Sequence, residues 1–157
     1  MNVIIVGGTF GIGLELSKQY LDKAKNLIVI GRSENKFPDI KQYLSGSATN
    51  VITKKLDVTD LAKTQEVFQD IIDEFKQLDL VIYSSGFYKP NNTFDLDISL
   101  YRNTLEVNFM GLIHVMSKVL PQMQKQKNGH VAMISSLAGF FGLPNSSGYG
   151  PSKAAMM

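Results

Sequence analysis

Short, mostly apolar runs alternate along the chain with longer segments in which apolar residues recur every three or four positions. The runs are "NVIIVGG" from Asn2, "NLIVIG" from Asn26, "VITKKLDV" from Val51, "LDLVIYSSG" from Leu78 and "GHVAMISS" from Gly129. The first two read as parallel β-strands buried on both faces, and the other three as the third, fourth and fifth strands. Between them lie helical patterns. "GIGLELSKQYLDK" carries Ile12, Leu16 and Tyr20 four apart, and residues 32–44 form a weaker, more polar segment that turns helical near Pro38. Asp60 stands as an N-cap before "LAKTQEVFQDIIDEFKQL", whose Val67, Phe68, Ile71, Ile72 and Phe75 make one apolar stripe. A long helix is expected from about Ser99 to Gln126, disturbed at Pro121 because proline lacks a backbone donor. The loop "LAGFFGLPNSSG" then leads to a last helix starting near Gly148, where Pro151 in the first turn costs little.

Strand and helix in regular alternation imply parallel strands joined by crossover helices. The expected architecture is α/β: one doubly wound, Rossmann-like domain over residues 1–157, strand order 3-2-1-4-5, with helices on both faces. Ligands of such sheets sit beyond the carboxyl ends of the strands, at the switch point between strands 1 and 4.

Composition narrows the chemistry. A net charge of +2 with scattered basic residues gives no electrostatic footprint for nucleic acid. Without cysteine, disulfides and thiolate metal sites are excluded. His114 and His130 are far apart in sequence and lack evident carboxylate partners, so both are expected to be structural and no metal is expected. No apolar run is long enough to span a membrane, and Met1 leads straight into a strand, so a cytoplasmic protein is expected.

Two stretches carry the candidate chemistry. "VGGTFGIG" joins strand 1 to helix 1, with Gly7, Gly11 and Gly13 spaced G-x-x-x-G-x-G and Thr9, Phe10 and Ile12 between them. Glycines there let the backbone approach a pyrophosphate at a helix N-terminus. The spacing is not G-x-G-x-x-G, and a ligand-free turn is the alternative. "SSGYGPSK" places Tyr149 and Lys153 four apart on one helical face, a pair that also arises by chance.

Taken together, these segments resemble the short-chain dehydrogenase/reductase family over essentially the whole chain. The resemblance assigns the glycine turn to a dinucleotide. It identifies Ser136, thirteen residues before Tyr149, and Asn108, in "VNFMG", as partners of Tyr149 and Lys153 in a catalytic set. The chain departs from the family at Val6, where threonine is usual, and at Tyr83-Ser84-Ser85-Gly86, where Asn-Asn-Ala-Gly is usual. Ser84, Ser85 and Gly86 would still let the cofactor approach closely. Asp57 and Val58, at the end of strand 3, would meet the adenine, although Asp57 also fits a capping turn with Asp60. At the end of strand 2, where an acid would hold the ribose of NAD, stand Arg32 and Ser33. A basic residue there favours the 2′-phosphate of NADP, so NADP is preferred over NAD, with Glu34 the nearest acid.

The implied reaction interconverts a carbonyl and an alcohol on a small molecule. Hydride transfer must be accompanied by a proton. A phenol with a reference pKa of about 10 needs a nearby cation to act at neutral pH. Tyr149 would carry the proton, and Lys153 would supply the cation and hold the nicotinamide ribose. Ser136 would bond the substrate oxygen, and Asn108 would orient a water behind Lys153. The family's domain runs on through further elements, so the chain is expected to be truncated at the start of the Tyr/Lys helix. It is also expected to self-associate through the apolar helix around residues 100–126. A non-catalytic dinucleotide-binding module, or an interaction domain that binds no dinucleotide, are the rival readings.

Overall fold

The computed structural model describes residues 1–91, 94 and 96–157. Five strands form one parallel sheet in the order β3-β2-β1-β4-β5. They are β1 (Asn2–Val6), β2 (Asn26–Gly31), β3 (Asn50–Lys55), β4 (Leu80–Tyr83) and β5 (His130–Met133). Val3 pairs with Leu27 on one side and Leu80 on the other, which puts β1 at the centre. The expected order and direction are therefore both observed.

Because successive strand residues face opposite sides, the apolar runs build two cores. Ile4, Val6, Ile28, Ile30, Val81 and Tyr83 pack with Phe68 and Ile71 of α3 (Leu61–Phe75) and Val115 and Val119 of α5 (Gly111–Gln126). On the other face, Val3, Ile5, Leu27, Val29 and Ile82 pack with Leu14 of α1 (Gly11–Gln19) and Ile40 of α2 (Phe37–Tyr43). Asp60 caps α3 as its sequence suggests, its side chain accepting a bond from the Lys63 amide at 2.9 Å.

Two details go beyond the sequence pattern. First, the expected helix is present, with Leu16 and Tyr20 packed on the core, but Ile12 is not. It is 61% exposed, and the buried positions of α1 are Gly13 and Ser17. This helix runs so close to the strand-1 turn that only small side chains fit beneath it. Second, the long helix is not broken at Pro121. It runs from α4 (Ile98–Leu105) through a π turn (Glu106–Met110) into α5, which passes through Pro121. Pro121 and Ser117, whose carbonyl loses its partner, are both exposed, so the missing donor is on the solvent side of the helix. The irregularity lies instead at Asn108. The last helix, α6 (Tyr149–Ala154), begins just after Gly148 as expected.

Candidate active site

A cleft of about 520 Å³ opens beyond the carboxyl ends of the strands. Its floor is the turn after β1. Gly7 has φ +84°, and the Gly7 and Gly8 amides both donate to the Ile30 carbonyl, at 2.9 and 3.1 Å. A side chain on Gly7 would begin 2.6 Å from the Ser85 amide nitrogen, and one on Gly13 would begin 2.2 Å from the Gly7 carbonyl oxygen. These contacts bring α1 and the turns after β1 and β4 together without intervening side chains, leaving the start of α1 bare toward the cleft.

Gly7, Thr9, Phe10, Gly11, Ile12, Arg32, Ser33, Asp57, Val58, Ser84, Ser85, Gly86, Ser136, Tyr149 and Lys153 all line the cleft. Gly13 and Asn108 do not; one lies under the turn and the other behind the wall. Asp57 forms the expected capping turn and also lines the cleft. It faces the cleft while accepting bonds from the Thr59 amide and hydroxyl at 3.1 and 2.9 Å.

At one end of the cleft stand Arg32, Ser33 and Lys36. Lys36 is absent from the sequence reading, although a second basic residue four after Arg32 was the available signal. It sits on a short 3-10 turn (Glu34–Lys36), with its ammonium 5.5 Å from the centre of the Phe10 ring. Glu34 is turned away and pairs with Lys55 at 3.2 Å. Glu34 is thus paired outside the cleft lining, which on this side includes Asp57.

At the other end, Tyr149 and Lys153 project from successive turns of α6, the Lys153 Nζ lying 5.7 Å from the centre of the Tyr149 ring. Tyr88, also missed, meets Tyr149 edge-on at 4.9 Å. Lys153 is 3% exposed, and its Nζ donates to the Ile134 carbonyl at 2.7 Å. Burial holds the Lys153 ammonium below the ordinary lysine value of 10.5. Ser135 and Ser136 divide the strand-5 end as alternating positions must. The Ser135 hydroxyl donates to the Lys153 carbonyl at 3.0 Å, while Ser136 Oγ accepts from the Ala138 amide at 3.2 Å.

Asn108 is fully buried behind Gly86. Its Oδ1 accepts from the Phe87 amide at 2.6 Å, and its Nδ2 donates to the Phe87 carbonyl at 3.0 Å and to Ser152 Oγ at 2.8 Å. It therefore ties the β4 loop to the helix that carries Tyr149 and Lys153. A side chain on Gly86 would have Asn108 Oδ1 and Lys153 Nζ at 3.7 and 3.8 Å, so these two polar groups flank one point on the cleft wall. His114 is structural, its Nδ1 bonded to the Val58 carbonyl at 2.8 Å. Among the described residues no group of side chains is arranged to hold a metal ion, and no helix is long and apolar enough to cross a membrane.

Known proteins resemble this chain in sequence and in fold. An uncharacterised oxidoreductase of Staphylococcus epidermidis is 28% identical over 98% of the chain, and the uncharacterised oxidoreductase DltE of Bacillus subtilis is 29% identical over 98%. The chain spans 65% of the length of the first and 60% of the second. Among solved structures, ElxO with NADP bound superposes with a TM-score of 0.93 at 28% identity, covering 99% of this chain and 63% of that one. Serine dehydrogenase from Escherichia coli shares the fold at a TM-score of 0.90 and 24% identity, over 99% of this chain and 71% of that one. The short chain dehydrogenase family model matches residues 1–157, and on that end-to-end match the chain belongs to the short chain dehydrogenase family.

Proposed function

We propose that residues 1–157 form the cofactor-binding domain of a cytoplasmic oxidoreductase that interconverts a carbonyl and an alcohol with NADP(H). The observation that carries this reading is the polarity of the cleft. Two cations stand at one end, the Tyr149–Lys153 pair with Ser136 stands at the other, and a glycine-lined helix start lies between them. That spread of groups fits a dinucleotide with its adenosine phosphate among Arg32, Ser33 and Lys36 and its pyrophosphate over the turn at Gly11. When bound, the nicotinamide supplies or accepts the hydride.

The chain's own residues then manage the proton. The Tyr149 hydroxyl gives it to, or takes it from, the substrate oxygen. The Ser136 hydroxyl accepts a bond from Ala138 and so keeps its own proton to donate to that oxygen. The Lys153 ammonium stabilises charge as it develops on the phenol oxygen. Asn108 fixes the wall against which Lys153 rests.

The 2′-phosphate assignment has a direct test. Arg32→Ala and Lys36→Ala should each weaken NADPH binding about tenfold to a hundredfold, the worth of a charge-assisted bond, and change NADH binding by less than about twofold. Fluorescence titration reads both. Equal losses for the two cofactors would remove the phosphate from this end. Absence of binding by either cofactor to the unaltered chain would remove the function itself and favour an interaction domain.

The proposal extends to self-association through the long helix. Ile98, Leu105, Ile113 and Leu120 are exposed there. The π turn absorbs the extra residue in the eight-residue step from Leu105 to Ile113, which keeps the four on a shared stripe. A stripe of this kind is normally covered. Ile113→Glu should leave a folded monomer by sedimentation, whereas the unaltered chain sediments as an oligomer; a monomeric parent would end the idea.

A further inference from the structure

Tyr83 stands where the family resemblance leads one to expect asparagine, and the site described so far makes no use of it. It is among the largest side chains fully buried in the chain. Its hydroxyl donates to the Val107 carbonyl at 2.6 Å, across from β4 to the π turn. That carbonyl belongs to the residue before Asn108. Within the turn, the Gly111 amide bonds back five residues to the Glu106 carbonyl, so it does not close the ordinary four-residue bond to Val107. The tyrosine hydroxyl supplies a donor at the point where the helix ladder shifts register. Gly111 makes the approach feasible, because a side chain there would begin 2.6 Å from Tyr83 Oη. Tyr83 shares the space over Gly111 with Val58, whose Cγ2 would also lie 2.6 Å from a side chain there, so a larger residue at 111 would displace the hydroxyl.

Burial, with Asp57 nearby as a smaller cause, pushes the Tyr83 hydroxyl above its ordinary value of 10.0, so it remains a neutral donor. A buried carbonyl that lost this partner would go unsatisfied or take another register. The second outcome would rotate Asn108, one residue further on, away from Phe87 and Ser152.

We propose that Tyr83 is a positioning residue: its hydroxyl, seated against Gly111, holds the π turn in the register that aims the Asn108 amide at Phe87 and Ser152. In this chain a tyrosine–glycine pair thus links sheet and helix where the family usually has asparagine. The proposal rests on the assignment of Asn108 to the site, but its test needs neither cofactor nor turnover.

Amide exchange and proton NMR on the full chain provide that test. In the unaltered protein the Tyr83 hydroxyl proton should exchange slowly and show a cross-peak to the Gly111 α-protons. In Tyr83→Phe, exchange of the Phe87 and Gly111 amides should speed up roughly three- to tenfold, as expected for one lost internal bond. The β1 and β2 amides should hold their rates, as should all amides in a Tyr43→Phe control at the surface. Uniform acceleration, or failure of Tyr83→Phe to fold, would assign the hydroxyl to global stability and overturn the proposal. So would unchanged rates at Phe87 and Gly111. Each of these outcomes leaves the dehydrogenase reading standing, since that reading is decided by cofactor titration.

Discussion

Tyr149→Phe should cost turnover about a thousandfold and leave NADPH affinity within about twofold of the parent. The substitution removes one oxygen and keeps the ring, so the edge contact with Tyr88 at 4.9 Å survives and the cleft keeps its shape. On the proposed mechanism, what disappears is the group that moves a proton as the hydride moves, and a positioned acid or base is worth roughly a hundredfold to ten-thousandfold. Serine is a poor substitute: an alcohol is a far weaker acid than a phenol, and the Ser135 hydroxyl is already committed to the Lys153 carbonyl. Steady-state rates on a panel of small carbonyl compounds, with NADPH titration alongside, give both numbers. Turnover retained in the phenylalanine variant would transfer the proton to another group. An unaltered chain that binds NADPH and reduces nothing would favour the binding module over the enzyme.

The fold was legible because buried parallel strands leave so little freedom in sequence. "NVIIV" and "NLIVIG" are apolar on both faces, and each is followed by a helical period, which left few topologies to consider. The placement of most candidate residues followed, since strand ends converge at the switch point whatever the residues there do. The π turn was not legible. "EVNFM" has the pattern of an ordinary helix, and the shift depends on Tyr83 and Gly111, which meet only after β4 and the long helix have packed. Lys36 and Glu34 were hidden for a similar reason. Two residues apart, they point to opposite destinations, one to the cleft and one to Lys55 on β3, because a 3-10 turn separates them. The period through Ile12 gave the helix but not its inner face: spacing alone cannot reveal that α1 is pressed so tightly that Gly13 and Ser17 occupy that face. Pro121 misled, because the cost of a missing donor depends on whether the orphaned carbonyl faces solvent.

Lys153→Met should produce a comparable loss of turnover, with a pH signature in stability that Tyr149→Phe lacks. Lys153 is buried, and among the described residues no carboxylate pairs with it. Its ammonium is held by the Ile134 carbonyl, and desolvation puts its folded pKa below the 10.5 of an exposed lysine. The unfolded chain therefore binds this proton more tightly than the folded one, and stability must rise with pH between the folded value and 10.5. Below that window the full cost of burying the charge is present; above it the cost is gone. Methionine has no proton to lose. The stability of the variant relative to the parent should accordingly be greatest at neutral pH and decline as pH climbs through the window. The slope is the test rather than the starting value, since methionine also leaves the Ile134 carbonyl without its donor. Chemical denaturation of both chains from neutrality to above 10.5 measures it, and parallel curves would show that Lys153 titrates alike folded and unfolded. A declining difference, together with lost turnover, would mean that the chain tolerates a buried, unpaired ammonium at a cost in stability because the phenol beside it requires one.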